Sequence, residues 1–407
     1  MKTDINLAIV GLGYVGLPLA VEFAKTRKVL GFDINSSRVN DLKCGQDITL
    51  EVSEMELSSL DKLQFSCNED DLSDINTYIV TVPTPIDECN NPDLSPLKAA
   101  SKLIGKFIKP NDIVIYESTV YPGATEEICV PILEQSSNLK FNEDFFVGYS
   151  PERINPGDKI NTVQNIKKIV SFDDCPLSIK KKITKIYSSI SNKIIFTKSI
   201  EQAEMSKVIE NIQRDINVAF MNEIFMVCEK LNLNFKEVIK LASTKWNFLN
   251  FSPGLVGGHC LPVDPFYLHH LAKVKGHDAK FMLAGRIVND DLKKIILKKI
   301  QKEIIKRKLK KILILGLTYK ANVSDIRNSL ALDIFIELKK KFKNKIFAYD
   351  PVLNIEFSKK IKLLKRLNLN NYDLIVPLLN HEIFKKKISK HFKQNIQKYM
   401  DIFNHFS

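Results

Sequence analysis

Residues 5–11, INLAIVG, form a short apolar run that leads into Gly11-Leu12-Gly13-Tyr14-Val15-Gly16, and residues 14–26 then carry a helical pattern. A second apolar run, KVLGFD at 28–33, ends on Asp33. Apolar run, glycine-rich turn, helix and apolar run together predict a βαβ unit. The glycine spacing gives each position a task. The first permits a tight turn, the second lets a pyrophosphate approach the backbone, and the third lets helix and strand pack, while the helix N-terminus faces the phosphate charge. An acid about 20 residues further on accepts from ribose hydroxyls and repels a 2′-phosphate. The stretch therefore predicts a dinucleotide site that favours NAD over NADP. Arg38 has two readings, a cation for a 2′-phosphate or a solvated arginine on the next helix.

Further strand-like runs occur at TYIVTVP (77–83), DIVIYES (112–118) and FFVGYS (145–150), with helical patterns between them. Strands that alternate with helices imply a parallel, doubly wound sheet. From 200 to 232 a helical period continues without Gly or Pro for about nine turns, the length of a helix that bridges domains. Helical patterns persist to about 310. A strand in KKILILGLTYK (310–320), a helix near 327–341 and strands in KIFAYDP (345–351) and DLIVPLL (373–379) then predict a second α/β domain. The expected architecture is α/β with three parts: 1–199 binding the dinucleotide, 200–309 helical, and 310–407 closing the chain.

With 407 residues, 44% of them hydrophobic, the chain is long enough for two or three domains. No apolar run approaches the roughly 20 residues of a membrane span, and the N-terminus enters a strand pattern directly, so the expected location is the cytoplasm. The net charge of +13 is densest in KKIILKKIQKEIIKRKLKK (293–311). Its Ile and Leu residues recur at helical spacing, which makes the lysines the wet face of an amphipathic helix. A polyanion or membrane-surface contact is the other reading, but no aromatic residues interleave the run as a nucleic-acid stacking platform requires. Neither nucleic acid nor membrane is an expected partner. Seven cysteines without a CxxC pair suit neither a disulfide framework nor a zinc ribbon.

One cysteine stands apart. GLVGGHCLPVDPFYLHH (254–270) sets Cys260 after Gly-Gly-His, with Asp264-Pro265 four residues on. Asp264 reads as a helix N-cap with Pro at the first helical position and Gly276 near the stop, and a cap so placed also fixes a carboxylate close to the thiol. Lys207 and Asn211, four residues apart, share one helix face. They are either a polar helix surface or a pair of donors to a developing oxyanion. Glu152 follows the fifth strand run, at the rim where doubly wound sheets bind ligands, and is a candidate general base. His259, Cys260, His269, His270 and His277 offer no metal-ligand spacing, so no metal is expected.

The stretches GLGYVGLPLA, VTVPTPID, ESTVYPG, GYSPERINPGD, AEMSKVIENIQRDIN, TKWNFLNFSPGLVGGHCLPVDPFYL, LAGRIVND and LGLTYKANVSDIRNS, in that order, resemble the UDP-glucose and UDP-N-acetylhexosamine 6-dehydrogenases over nearly the whole chain. The resemblance implies two Rossmann-like domains joined by a long helix that builds a homodimer. It also implies NAD-dependent, four-electron oxidation of a UDP-sugar C6 alcohol to a carboxylate. The stretches TKWNFL, PGLVGGHC and VDPFYL are more similar to the N-acetylhexosamine branch than to the UDP-glucose branch, which is the alternative. A nucleotide-binding regulator that has lost the chemistry is a third reading, and it conflicts with the family's residue standing at every catalytic position.

Carried over by position, the resemblance makes Cys260 the nucleophile, with Lys207, Asn211 and Asp264 beside it, and gives Glu152 and Thr119 the hydrolytic step. A first hydride leaves an aldehyde, the thiolate traps it, and a second hydride leaves a thioester for water to cleave. Tyr14, Val15, Thr84, Thr119 and Arg327 join the glycines, Asp33 and Arg38 around the cofactor. Arg153, Phe248, Gly257, Arg286 and Lys320 join Glu152, Lys207 and Asn211 around the substrate. The glycines beside Cys260 are expected to let substrate approach the backbone. One departure stands near the C-terminus, where the family has Asp, then two residues later Lys or Arg. This chain has Asp401-Ile402-Phe403-Asn404 and ends at Ser407, so a basic nucleotide contact is missing.

Overall fold

The computed structural model describes residues 7–153, 163–173, 175–353, 361–403 and 405–406. The chain packs as two compact units, one of residues 1–210 with 266–277 and one of residues 211–265 with 278–407.

The first unit is built on an eight-stranded sheet: β1 Leu7–Val10, β2 Val29–Phe32, β3 Leu63–Ser66, β4 Thr77–Val80, β5 Ile113–Tyr116, β6 Phe146–Tyr149, β7 Lys168–Ser171 and β8 Ile194–Thr197. Their spatial order is β3-β2-β1-β4-β5-β6-β7-β8. β1, β4, β5 and β6 are buried along their whole length, which is why they read as continuous apolar runs. β3 (LQFS) and β8 (IIFT) are half-exposed four-residue strands, and neither is among the runs assigned from the sequence. Strand order reverses between β1 and β4, and the glycine turn leaves β1 at that switch point.

The sheet departs from the parallel expectation at one place. β6 and β7 pair antiparallel, with Tyr149 opposite Ser171. Antiparallel neighbours need no crossover helix, and no helix lies between these two strands among the described residues. Extending that register three residues beyond Tyr149 sets Glu152 opposite Lys168.

The second unit contains a smaller parallel sheet, with β9 Ile312–Leu315 between β10 Ile346–Tyr349 and β11 Leu374–Pro377. Its first turn repeats that of the larger sheet. Gly11 (φ +99°) donates to the Phe32 carbonyl at 2.8 Å, and the Leu12 N–H meets Asp33 Oδ2 at 2.8 Å. Gly316 (φ +83°) donates to the Tyr349 carbonyl at 3.1 Å, and the Leu317 N–H meets Asp350 Oδ2 at 2.6 Å. Positive φ is what makes glycine the residue for both turns. The two carboxylates differ in company: Asp350 is buried against His381, 3.4 Å away, whereas Asp33 is half-exposed.

The long helix spans Ile200–Leu231, and shorter ones span Phe235–Ala242 and Asp264–Val274. In the helix Lys280–Lys306, Leu292, Ile296, Leu297, Ile300 and Ile304 are buried in the core of the second unit, while Lys294, Lys298 and Lys302 face water. The basic run is thus the wet face of a packed helix. Among the described residues no helix is long and apolar enough to cross a membrane.

Phe403 belongs to that core. Its ring lies 6.1 Å from Phe225, which also meets Phe235 at 5.6 Å. Asp401 accepts from the His405 and Phe406 N–H groups at 2.8 and 2.7 Å. The position where the resemblance leads one to expect a base is here a packing position; Asn404 and Ser407 lie outside the described residues. Phe403→Lys should therefore lower unfolding free energy by about 3 kcal/mol or more, by losing ring contacts and burying an amine. Urea denaturation beside Phe403→Leu, which keeps the apolar contact and should cost less, checks this.

Candidate functional site

The glycine turn is shaped by its own backbone. A Cβ on Gly16 would stand 1.8 Å from the Gly11 carbonyl oxygen, so only glycine lets the helix start there. The Thr81 hydroxyl donates to that same carbonyl at 2.7 Å. Gly13 is exposed, with no atom within 4 Å of where its Cβ would be, which leaves the backbone open to a phosphate. Tyr14 and Val15 stand half-buried at the start of the helix Gly16–Ala24. Asp33 Oδ1 accepts from the Asn35 N–H at 2.9 Å, so both its oxygens are fixed by the backbone while the carboxylate stays half-exposed. Thr84 and Thr119, both half-buried, lie in the segments that leave β4 and β5 at the same edge of the sheet. This cradle suits a dinucleotide pyrophosphate and ribose.

Arg38 is not solvated. It is 6% exposed, its Nε donates to the Leu12 carbonyl at 2.9 Å, and its Nη2 pairs with Asp47 at 2.8 Å. Asp47 in turn collects N–H groups from Thr49, Glu51 and Val52. Burial works against its charge, but those donors and Arg38 hold the carboxyl below its ordinary range. The arginine braces the glycine turn from beneath.

Glu152 is 4% exposed and lies in a cluster within the first unit. Lys168 Nζ, fully buried, stands 3.0 Å from Glu152 Oε2 and 2.5 Å from Glu117 Oε2. The Tyr187 hydroxyl donates to Glu117 Oε1 at 2.6 Å. Burial raises Glu117 to about 7, against the pull of Lys168. Burial opposes the Lys168 charge as well, but the two carboxylates outweigh it and keep the ammonium protonated. Lys207, also buried, donates to the Glu152 main-chain carbonyl at 2.5 Å. Its reading as plain helix surface does not hold. Arg153 pairs with Glu210 and donates to the Lys167 carbonyl at 3.2 Å; residues 154–158 of the same motif lie outside the described residues.

In the second unit Asn211, 1% exposed, donates through Nδ2 to Asp264 Oδ2 at 2.5 Å, and its Oδ1 accepts from Arg214. Asp264 opens the helix Asp264–Val274, and its N–H bonds the Cys260 carbonyl at 2.9 Å. That turn fixes the half-buried Cys260 one turn ahead of a buried carboxylate. At the far end of this helix Gly276 takes φ +83°.

The glycines before Cys260 have a different reason from the one expected. A Cβ on Gly257 would meet the Asn328 carbonyl oxygen at 2.4 Å, and one on Gly258 the Tyr319 ring at 2.7 Å. Asn328 Nδ2 also donates to the Gly258 carbonyl at 2.9 Å. The space beside these glycines belongs to the chain itself. Arg286 is likewise drawn inward: it is 2% exposed, pairs with Asp215 at 2.5 Å and Asp290 at 2.6 Å, and shares Asp215 with Asn289. This is a buried charge network within the second unit. Arg327 is exposed and chelates Asp325 at 2.7 Å, Lys320 is half-buried with its carbonyl taken by the Thr318 hydroxyl at 2.9 Å, and Phe248 is half-buried after the helix Phe235–Ala242.

Sequence reasoning misses Glu117, Lys168 and Tyr187. In a chain with 60 Lys and Arg residues a lysine in IKKIV carries no mark. The available signal is Glu117 closing an otherwise apolar strand run, where burial makes an acid costly.

Three segments match the UDP-glucose/GDP-mannose dehydrogenase family: residues 5–191 its NAD binding domain, 201–291 its central domain and 313–406 its UDP binding domain. The chain is 49% identical over 362 residues to a UDP-N-acetyl-D-glucosamine 6-dehydrogenase of Pseudomonas aeruginosa, covering 87% of this chain and 84% of that one. It is 44% identical to a UDP-N-acetyl-D-glucosamine 6-dehydrogenase of Salmonella typhi, over 94% of this chain and 91% of that one. Among solved structures, a UDP-D-ManNAc dehydrogenase of Pyrococcus horikoshii superposes with a TM-score of 0.83 at 30% identity, covering 97% of this chain and 93% of that one.

Asp33→Ala removes the carboxylate that disfavours a 2′-phosphate, so the ratio of NAD to NADP affinities should fall by about tenfold or more. Calorimetric titration with each dinucleotide measures it, and equal affinities in the unmutated protein would contradict the role given to Asp33.

Proposed function

Because the chain belongs to the UDP-glucose/GDP-mannose dehydrogenase family, we propose that it oxidises the C6 alcohol of a UDP-N-acetylhexosamine, UDP-N-acetylglucosamine or UDP-N-acetylgalactosamine, to the uronate. The supporting observation is Cys260 fixed one turn ahead of Asp264, whose carboxylate is bound to the buried Asn211. The N-acetylhexosamine choice draws support from the stretches TKWNFL, PGLVGGHC and VDPFYL and from the relatives' activity.

NAD, when bound at Gly11, Gly13, Gly16 and Asp33, supplies the hydride acceptor for each of two oxidations. The chain's own residues do the rest. Lys207 and Asn211 donate to oxygen as it gains negative charge. The Cys260 thiolate adds to the aldehyde carbon and holds it covalently, so that the carbon is oxidised a second time without release. Glu152 takes a proton from the water that cleaves the resulting thioester. Lys320 and Arg327 supply cations for the nucleotide-sugar and the cofactor. The active form is a homodimer through the long helix, whose Met205, Ile209, Phe220, Val227 and Leu231 are exposed apolar residues at helical spacing, and it works in the cytoplasm.

One substrate should yield two NADH, and a panel of UDP-glucose, UDP-N-acetylglucosamine and UDP-N-acetylgalactosamine should show turnover with an N-acetylated sugar well above that with UDP-glucose. Lys207→Ala should lower turnover by about ten- to a thousandfold, the range for a lost oxyanion donor.

Cys260→Ala should abolish acid formation yet bind NAD normally, and Glu152→Gln should stall after the second hydride. Intact-protein mass spectrometry of Glu152→Gln with substrate and NAD should then find a UDP-uronyl adduct on the peptide that holds Cys260. Acid production by Cys260→Ala at the unmutated rate would make the thiol structural.

A further inference from the structure

Two groups in the first unit have no task in the chemistry above: Glu117, 1% exposed, and Lys168, fully buried. Lys168 Nζ bridges Glu117 Oε2 at 2.5 Å and Glu152 Oε2 at 3.0 Å, so one buried ammonium holds both buried carboxyl groups. The Tyr187 hydroxyl also donates to Glu117 Oε1 at 2.6 Å, and Lys207 to the Glu152 main-chain carbonyl at 2.5 Å. Two buried carboxylates on a single ammonium leave one negative charge uncompensated, which favours a shared proton, and carboxyls held this close titrate as a pair.

We propose that Glu117 and Glu152 act as one proton-sharing base, with Lys168 as the positioning residue that holds them together. The proposal rests on Glu152 as the base of the hydrolytic step. As a water oxygen bonds to the thioester carbon, its O–H bond breaks and the proton passes to Glu152. The pair, ionised when hydrolysis begins, shares that proton between Glu152 and Glu117 on the Lys168 ammonium. When the C–S bond breaks, the proton returns through Glu152 to the leaving sulfur. Thioester and water give acid and thiol, and the pair ends in its starting state.

This arrangement gives the two partners opposite electrostatic effects on Glu152. The Glu117 charge disfavours Glu152 ionisation, so removing it moves the acid limb of the hydrolysis rate to lower pH. The Lys168 charge favours ionisation, so removing it moves that limb to higher pH. A partner that merely supports the fold lowers the rate at every pH alike.

Two measurements test this. The first is the pH profile of the slow phase of NADH formation in Glu117→Gln, Lys168→Met and Lys168→Arg. Glu117→Gln should shift the acid limb down by about one pH unit or more, Lys168→Met should shift it up by a similar amount, and Lys168→Arg should return it most of the way. The second is an infrared pH titration of the protein without substrate, which reads protonated carboxyl groups whatever the activity. The unmutated protein should show a protonated-carboxyl signal, lost near neutral pH, that both Glu117→Gln and Glu152→Gln lack. Glu204, Glu126 and Asp112, which burial raises to about 7, 7 and 6, contribute equally to all three proteins. Shifts in the same direction, or no shift, would overturn the proposal, as would an infrared signal unchanged in both glutamine variants. If Glu117→Gln does not fold, the Glu152→Gln titration decides it alone. If no UDP-sugar is oxidised, the infrared result still decides the pair.

Discussion

A lysine ammonium with no exposed surface constrains everything around it. Lys168 begins β7, and its charge is compatible with burial only because Glu117 and Glu152 meet it. Removing one partner of such a buried group typically costs about 3–5 kcal/mol, because the charge left behind has no water. Three parts of the first unit are therefore tied to one point: the end of β5, the segment after β6 and the start of β7. The antiparallel pairing of β6 and β7 is what brings Lys168 across from Glu152. With Lys207 holding the Glu152 backbone and Tyr187 holding Glu117, the candidate base has little freedom to reorient.

The same local device is used twice for different ends. In each sheet a glycine with positive φ ends a central strand, and the next N–H is taken by an aspartate at the end of the neighbouring strand. In the first unit that aspartate is half-exposed, and Gly13 and Gly16 follow the turn. In the second, Thr318 and Ala321 stand at the corresponding positions, and His381 closes over Asp350. Burial would raise Asp350, but His381 and the N–H groups on it hold the carboxyl below its usual range. A carboxylate so satisfied braces the turn and is withdrawn from ligand recognition. The repeated fold thus keeps the geometry of the turn and changes its chemistry.

The cysteine segment shows how one pattern can serve packing and the proposed chemistry together. Gly257 and Gly258 make room for Asn328 and Tyr319, and the turn from Cys260 to Asp264 starts a helix. Both fix the backbone on either side of the thiol, which is what a nucleophile needs if its position is not to drift.

The strands of the dinucleotide unit, its glycine turn and the long helix are legible in the sequence because each rests on a local rule: apolar runs for strands buried on both faces, positive φ for glycine, and a 3.6-residue period for the helix. Spacing and residue type single out Cys260, Asp264, Lys207 and Asn211 as candidates along short stretches, and the family resemblance is what assigns them roles. β3, an alternating four-residue edge strand, is not legible, nor is β8 despite its apolar Ile194-Ile195-Phe196, because so short a run does not by itself distinguish a strand; the antiparallel step at β7 depends on long-range pairing. Arg38 and Arg286 look like ligand-binding cations in the sequence, and the structure commits them to Asp47 and to Asp215 and Asp290. Glu117 and Lys168 look like any acid and any lysine. Local geometry is written in neighbouring residues, whereas the partner of a buried charge lies 51 residues away for Lys168 and Glu117, and only the folded chain brings the two together.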